Sequence, residues 1–337
     1  MISLLKELPP PPTGKTGWPW TEESKPLPLT MPDGKPWPKI SIVTPSFNQG
    51  QFLEETIRSV LLQNYPNLEY IIMDGGSTDN SAEIIKKYEP WLAHWVSEKD
   101  KGQANAIQKG LEKSTGEIIA WINSDDYYLP NALFTVASAV ESEKPEWFCG
   151  DISVINETSE LRCYYRIRRP TSWIGLTSRV STVAQPSVFW ARKLWEECGP
   201  FDKNMFFSFD WDLFCKFLLK GYIPKYINYV LSAARIHSAT KTSQHAEQMQ
   251  TDDQIIWRRC LSKSRYFDRL RGNLVYRLCY FQIKAPILKR YLRLFMWYII
   301  YPQKTLMLHI KGYRINDVIS PKSFNEMETQ RSVTRFI

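Results

Sequence analysis

Apolar, strand-like segments alternate with helix-like segments four times between residues 40 and 140, and this alternation limits the folds open to the chain. The strand-like segments are rich in β-branched and aromatic residues: Ile40–Thr44, Leu68–Met73, His94–Val96 and Glu117–Asn123. Helical spacing of apolar residues predicts helices between them and after the last one: from Asn48 to Leu61, Ser81–Tyr88, Gln103–Lys113 and Asn131–Val140. Repeats of this length predict an α/β fold, in which helices cover both faces of a parallel sheet.

The two ends of the chain differ in composition from this middle part. Residues 1–39 hold 10 of the 22 prolines, which predicts an extended arm because proline fixes φ and lacks a backbone donor. For the same reason we expect the first strand to stop at Pro45. We therefore divide the chain into a Pro-rich arm at 1–39, a central domain at 40–245 and a C-terminal extension at 246–337.

The extension is strongly basic, with 14 Lys or Arg and one acidic residue between Gln254 and Ile315. Apolar residues recur at helical spacing near 266–281 and 287–299, so we expect a mainly α-helical, amphipathic extension. Such helices bind an anionic membrane surface or pack their apolar stripe on the central domain, and both interpretations stay open. A nucleic-acid partner is not favoured, because no recognition motif accompanies the charge.

Several protein classes are excluded by simple patterns. No run of about 18 uncharged apolar residues predicts a transmembrane helix, and the first residues do not resemble a secretory signal. The six cysteines show no CxxC spacing, which argues against a zinc ribbon or a disulfide scaffold. We expect a cytoplasmic protein, either free or peripheral on the inner face of the cell membrane.

Polar residues follow the predicted strands, where ligands of parallel sheets bind. These loops lack the GxGxxG, GxSxG and HExxH motifs. The adjacent carboxylates Asp125 and Asp126 repel each other and need a cation or hydrogen-bond donors to stay ionised. Hard oxygen ligands suit Mg²⁺ or Mn²⁺, which often also bind substrate phosphates. Alternatively, the pair forms a solvated turn before the next helix.

Other polar residues in these loops are equally ambiguous when taken alone. Asp74 either binds a nucleobase edge or organises the turn at Gly75 and Gly76. Gln103 and Asn105 begin a helix, whose positive end favours anions, but they also suit an ordinary surface.

In order and spacing, four segments resemble the family 2 glycosyltransferases of GT-A fold: residues 40–48, 74–79, 100–103 and 123–126. The resemblance covers about residues 39–240. It implies a Rossmann-like nucleotide-binding half at 40–126 and an acceptor half at 127–245. The implied nucleotide-sugar contacts are Pro45, Ser46, Phe47, Asn48, Asp74, Gly75, Gln103, Asn105, Asn123 and Asp125. The implied ligands of Mn²⁺ or Mg²⁺ are Asp126 and His237.

The resemblance also implies the acceptor side of a site. Residues 183–190 resemble the strand that lines the acceptor pocket, and residues 209–214 resemble the family's ED motif, with Phe209 where Glu is usual. The implied catalytic base is Asp210, which would take the proton of the acceptor hydroxyl. The implied acceptor contacts are Gln185, Trp211 and Asp212, and Asp212 is also an alternative base.

The function expected from this resemblance is metal-dependent, inverting transfer of a sugar from a nucleotide sugar, with UDP as the expected nucleotide. The expected acceptor is a saccharide or a lipid-linked sugar in polysaccharide or cell-surface glycan synthesis. The alternative is a non-catalytic nucleotide-sugar or glycan-binding module of the same fold. Phe209 favours that alternative, whereas the intact Asp125–Asp126 pair argues against it.

Overall fold

The computed structural model describes residues 3–141, 144–167, 183–202, 205, 207–238 and 246–263. All of these residues belong to one compact unit that ends at Ser264. The amphipathic helices expected near 266–281 and 287–299 lie outside the described residues.

One mixed sheet organises this unit. Its strands are β1 (Ile40–Ser46), β2 (Leu68–Asp74), β3 (His94–Ser97), β4 (Ile118–Trp121), β5 (Tyr127–Tyr128), β6 (Trp147–Ile155), β7 (Leu161–Tyr165), β8 (Val188–Ala191) and β9 (Lys225–Arg235). They follow the order β3-β2-β1-β4-β8-β6-β9-β5, and β7 pairs with β6. The strands β1 to β4 are parallel, as the sequence predicts, whereas β8 joins β4 in the antiparallel sense.

Helices pack on both faces of the sheet, as predicted. They are α1 (Leu4–Glu7), α2 (Gly50–Leu61), α3 (Ser81–Lys87), α4 (Gln103–Lys113), α5 (Ala132–Ala139), α6 (Arg192–Cys198), α7 (Phe209–Leu219) and α8 (Ala246–Lys263). Side chains alternate along β1, so Ile42 faces a core shared with α2, α3 and α5, while Val43 faces a core shared with α4, α6, α7 and α8.

The prediction that the first strand stops at Pro45 is wrong, because β1 continues to Ser46. The sheet tolerates this proline because of where the neighbouring strand ends. The Val43 carbonyl accepts from the Ile122 backbone N–H on the β4 side. Because alternate residues of a strand direct their backbone polar groups to the same side, the backbone nitrogen of Pro45 also points towards β4. β4 ends at Trp121, opposite Val43, and a donor at position 45 would have no β4 partner.

Apart from helix α1, the Pro-rich arm consists mainly of turns and irregular segments, and it packs closely against α2. Its side chains Leu8, Trp20 and Trp37 are buried. The Arg58 guanidinium on α2 is fully buried and donates to the carbonyls of Pro9, Pro19 and Trp20. A buried guanidinium needs many acceptors, and the arm supplies them.

The same compact unit includes α8, which the sequence-based division at residue 245 assigned to the extension. Its buried side chains Ile256 and Cys260 join the core that α7 also faces. Within the described part of the chain, no helix combines the length and apolar character needed to cross a bilayer.

Candidate functional site

One face of α2 holds the loop that carries the aspartate pair. Thr56 and Ser59 lie on this face, one helical turn apart. The Thr56 hydroxyl lies 2.6 Å from the Asp126 carbonyl oxygen and 3.0 Å from that of Ser124. The Ser59 hydroxyl accepts from the Tyr128 backbone N–H at 3.1 Å. The backbone on both sides of the pair is therefore fixed to one helix.

Asp125 faces His237, which follows the end of β9. The Asp125 Oδ2 atom lies 3.0 Å from the His237 Nε2 atom. The imidazole is buried and packs on the Phe52 ring, with 4.9 Å between ring centres, whereas the Asp125 carboxylate keeps some exposure. The structure thus pairs a carboxylate with an imidazole at the rim of the sheet.

Asp126 is held differently, although it is adjacent to Asp125. Its Oδ1 atom accepts from the Arg235 backbone N–H at 2.9 Å, and its Oδ2 atom accepts from Asn123 Nδ2 at 3.2 Å. Burial, followed by the nearby charge of Asp125, raises the pKa of the Asp126 carboxyl well above its usual value. The carboxylate that the structure places beside His237 is Asp125, and Asp126 binds the neighbouring backbone.

Arg235, to which no sequence motif assigns a role, links these groups. Its Nε atom donates to the Asp125 carbonyl at 2.8 Å, and its Nη2 atom lies 2.6 Å from the Glu55 carboxylate on α2. Its Nη1 atom donates to the carbonyls of Asn156 and Glu157 in the β6–β7 turn. Glu55 and Arg235 lie 180 residues apart, so no local pattern reveals this buried ion pair.

Asn123 brings side chains of both halves of the site together. Gln103 Nε2 donates to Asn123 Oδ1 at 2.8 Å, and Asn123 Nδ2 donates to Gln185 Oε1 at 3.3 Å. Gln185 in turn donates to the Trp121 carbonyl at 3.0 Å. Gln103, a predicted nucleotide-sugar contact, and Gln185, a predicted acceptor contact, therefore both bind the side-chain amide of Asn123.

The loops after β1 and β2 are tied to each other. The Asn48 backbone N–H donates to the Ser77 hydroxyl, and the Thr78 backbone N–H donates to Asn48 Oδ1, both at 2.8 Å. The Asn48 backbone is left-handed, with φ at 52°, a conformation that asparagine tolerates well. Phe47 beside it is 60% exposed. The exposed Phe47 ring therefore lies on the two loops that these hydrogen bonds join, which we call the double loop.

Asp74, at the end of β2, is almost fully buried. Its carboxylate accepts from the Ser77 backbone N–H and hydroxyl, at 2.9 and 2.5 Å, and from the Ser97 hydroxyl at 2.7 Å. It therefore organises the turn, which was one of the two roles left open. These hydrogen bonds leave its Oδ1 atom room for a further donor.

The remaining donor-side residues lie around this double loop. Pro45 and Ser46 are buried in β1, and Asn105 Oδ1 accepts from the Lys101 backbone N–H at 3.3 Å. A Cβ atom at Gly75 would lie 3.1 Å from the Asp100 carboxylate, so a larger residue there would push Asp100 away.

On the acceptor side, Asp210 and Asp212 lie in the first turn of α7. Asp210 is partly exposed, and its Oδ1 atom accepts from the Trp211 backbone N–H at 2.7 Å. Asp212 is 1% exposed and lies 2.5 Å from Arg259 Nη1 and 3.0 Å from Lys216 Nζ. Of the two predicted bases, Asp210 is the one near solvent.

Phe209 and Trp211 both pack into the core. The Phe209 ring contacts Phe201 and Trp121, with 5.1 and 6.2 Å between ring centres. The departure from the usual Glu at position 209 therefore places a core aromatic there and leaves Asp210 in place. Trp211 is also buried, which does not favour a wide stacking surface for a sugar.

The protein ligand atoms available at this site suit a divalent ion that also binds substrate phosphates. Among the described residues, no group of three or more His, Cys, Asp or Glu side chains converges on a metal position. The Asp125 carboxylate and the His237 imidazole offer two ligands. Mg²⁺ and Mn²⁺ commonly complete their coordination with water and substrate phosphate oxygens, so two protein ligands fit such an ion.

Comparison with known sequences identifies relatives for most of the described residues. Residues 41–186 match the profile of Glycosyl transferase family 2. An uncharacterized glycosyltransferase of Rickettsia typhi is 26% identical over 239 residues, which cover 67% of this chain and 72% of the relative. TuaG of Bacillus subtilis, a glycosyltransferase named for teichuronic acid biosynthesis, is 38% identical over 99 residues, which cover 28% of this chain and 39% of TuaG.

Solved structures show the same architecture. The crystal structure of S. aureus TarS 1–349 matches with a TM-score of 0.56 at 14% identity, over 77% of this chain and 79% of that one. The same segment of TarS in complex with UDP-GlcNAc matches with a TM-score of 0.55 at 15% identity, over 85% and 79% of the two chains. At this identity, the likeness establishes the fold alone.

Proposed function

We propose that this chain is a family 2 glycosyltransferase that transfers a sugar from a nucleotide sugar in cell-surface glycan synthesis, and that the nucleotide is UDP. The acceptor that we propose is a saccharide or a lipid-linked sugar, and the transfer inverts the anomeric configuration. A structural neighbour and a sequence relative support this choice: TarS was crystallised with UDP-GlcNAc, and TuaG is named for teichuronic acid biosynthesis.

The observation that carries the proposal is the 3.0 Å approach of Asp125 Oδ2 to His237 Nε2. These two side chains would hold Mn²⁺ or Mg²⁺ together with the donor diphosphate. A divalent ion bound there supplies Lewis-acid stabilisation of the charge that develops on the leaving diphosphate. Asp126 would keep its hydrogen bonds to Arg235 and Asn123 and support the loop from behind.

The double loop would bind the nucleoside. Phe47 offers an exposed ring for the base, and Asn48 keeps the loop in place. Asp74 would accept from the base or the ribose through its remaining capacity. The other donor contacts that we retain as proposals are Pro45, Ser46, Gly75, Gln103, Asn105 and Asn123.

Asp210 would act as the catalytic base. A carboxylate near solvent can take the proton of the acceptor hydroxyl as that oxygen attacks the sugar carbon from the face opposite the diphosphate. Gln185 lies between Asn123 and the core of the sheet, so it would orient the acceptor side. Trp211 is buried and Asp212 is ion-paired, so these two residues would hold the start of α7 in place around Asp210. Exposed groups would then make the direct contacts with the acceptor.

The basic part of the chain that follows α8, up to Ile315, would bring the enzyme to lipid-linked acceptors at the inner face of the membrane. Cationic residues near an anionic surface add attraction that salt weakens. Co-sedimentation of the full chain with vesicles tests this proposal. Binding to phosphatidylglycerol vesicles at low salt supports it, while equal recovery with phosphatidylcholine vesicles argues against it.

Release of UDP from a panel of UDP-sugars tests the activity. We expect release with Mn²⁺ and none after EDTA treatment, with restoration on adding Mn²⁺. The Asp210→Asn variant should keep UDP binding and lose about 10²–10⁴-fold in kcat. A protein that binds UDP but turns over no sugar donor would instead be a non-catalytic binding module.

A further inference from the structure

We propose that helix α8, which lies beyond the family match at residues 41–186, is a positioning element for Asp210. Three of its side chains anchor the start of α7 on both sides of that carboxylate. The inference rests on the proposed role of Asp210 as the base. It also means that α8, which its composition places in the basic extension, contributes to catalysis by positioning Asp210.

The first anchor is at the N-terminus of α7. The Asp252 Oδ2 atom accepts from the backbone N–H groups of Phe207 and Ser208, at 2.9 and 3.3 Å. The Asp253 Oδ1 atom accepts from the Ser208 hydroxyl at 2.8 Å. Both aspartates are buried, and Ser208 directly precedes α7. Carboxylates at this position also complement the positive end of the helix.

The second anchor is at Asp212, in the first turn of α7. Arg259 Nη1 lies 2.5 Å from Asp212 Oδ1, and Arg259 Nη2 lies 2.7 Å from Asp202 Oδ2. One guanidinium therefore joins α8 to the first turn of α7 and to the segment before it. Because Asp212 is buried, its charge needs the pairing that Arg259 and Lys216 provide.

Asp210 lies midway between the two anchors, two residues after Ser208 and two residues before Asp212. Fixing a helix at both sides of one residue limits the rotation and sliding of the turn that carries it. A misplacement of about 1 Å in a catalytic group can cost about 100-fold in rate. Loss of either anchor should therefore reduce catalysis, while the loops after β1 and β2 keep their structure because their own hydrogen bonds hold them.

The matched test compares Arg259→Met with Arg258→Met in the full chain. Both changes remove one charge from α8, but Arg258 is exposed whereas Arg259 is in the ion-pair network. Three readouts are measured, and the first two are hydrogen–deuterium exchange of the amides of residues 207–213 and UDP binding with Mn²⁺ by calorimetry. The third readout is kcat and KM for UDP release from the panel of UDP-sugars.

For Arg259→Met we expect faster exchange at 207–213, a kcat lower by about 10-fold or more, and unchanged UDP affinity and donor KM. Arg258→Met should match the unchanged protein in all three, and Arg259→Lys should recover part of kcat. Asp252→Asn tests the other anchor. For this variant too we expect a lower kcat and an unchanged UDP affinity.

The proposal is overturned if exchange at 207–213 is the same in the Arg259 and Arg258 variants, or if kcat and UDP affinity fall together. Asp210→Asn is measured beside them. If that variant keeps full turnover, the base assignment fails, and the exchange data still decide whether α8 orders the start of α7.

Discussion

The His237 imidazole lies 3.0 Å from the Asp125 carboxylate, although 112 residues separate them in the chain. The contact depends on Arg235, whose guanidinium binds the Asp125 carbonyl and whose backbone N–H binds the Asp126 carboxylate. One residue at the end of β9 thus sets the place of both aspartates relative to the histidine.

Removal of either member of the Asp125–His237 pair should weaken metal-dependent nucleotide binding. We expect Asp125→Asn and His237→Ala to lower the affinity for Mn²⁺ in the presence of UDP by at least about 10-fold, because each takes away one ligand. Calorimetric titration of Mn²⁺ into the protein with UDP measures this. Glu98→Gln, at an exposed surface carboxylate, is the control. The assignment fails if Asp126→Asn abolishes Mn²⁺ binding while Asp125→Asn leaves it intact.

Replacing only one member of the buried Glu55–Arg235 pair should lower the free energy of unfolding strongly. Arg235→Met leaves a buried carboxylate without its cation, and we expect a loss of about 3–5 kcal/mol in the free energy of unfolding. Urea unfolding measures it. The double variant Glu55→Leu, Arg235→Met should be less destabilised than Arg235→Met alone, since it leaves no buried charge. An equal or larger loss in the double variant would contradict this account.

The arm should contribute to stability through Arg58. In Arg58→Met, the carbonyls of Pro9, Pro19 and Trp20 lose their donor, and we expect a loss of about 1–3 kcal/mol in the free energy of unfolding. Limited proteolysis should then cleave residues 3–39 faster than in the unchanged protein. Unchanged cleavage and unfolding would show that the arm does not depend on this guanidinium.

Stability should fall at acid pH partly through Glu69. Burial raises the pKa of this carboxyl, but hydrogen bonds from Lys39, Ser41 and Thr115 outweigh it and lower the pKa to about 2, from an ordinary 4.5. A lowered folded-state pKa means stabilisation that is complete above pH 4.5 and is lost as the pH falls towards 2. Glu69→Gln should reduce this loss between pH 5 and 3 in urea unfolding relative to Glu112→Gln, an exposed control. Equal pH dependence in the two variants would contradict it.

The polar loops and their order along the sheet follow from local patterns. Asp74, Asn123 and the aspartate pair can be placed at one edge of the sheet because parallel strands end there together. The resemblance to family 2 glycosyltransferases indicates which chemistry these loops serve, and residues 41–186 match the profile of that family. Pro45 shows where local rules fail, because the end of β4, and not the proline, decides whether β1 can continue.

Local patterns are enough to predict the strand–helix alternation, the aspartate pair and the candidate carboxylates of α7, because these depend on neighbouring residues and short periods. The packing of the folded chain, in contrast, pairs Asp125 with His237 and Arg235 with Glu55, and it brings α8 against the start of α7. Each of these contacts joins residues far apart in the chain. Their partners are set by which buried charges and donors the packed helices bring together, and no local spacing encodes that choice.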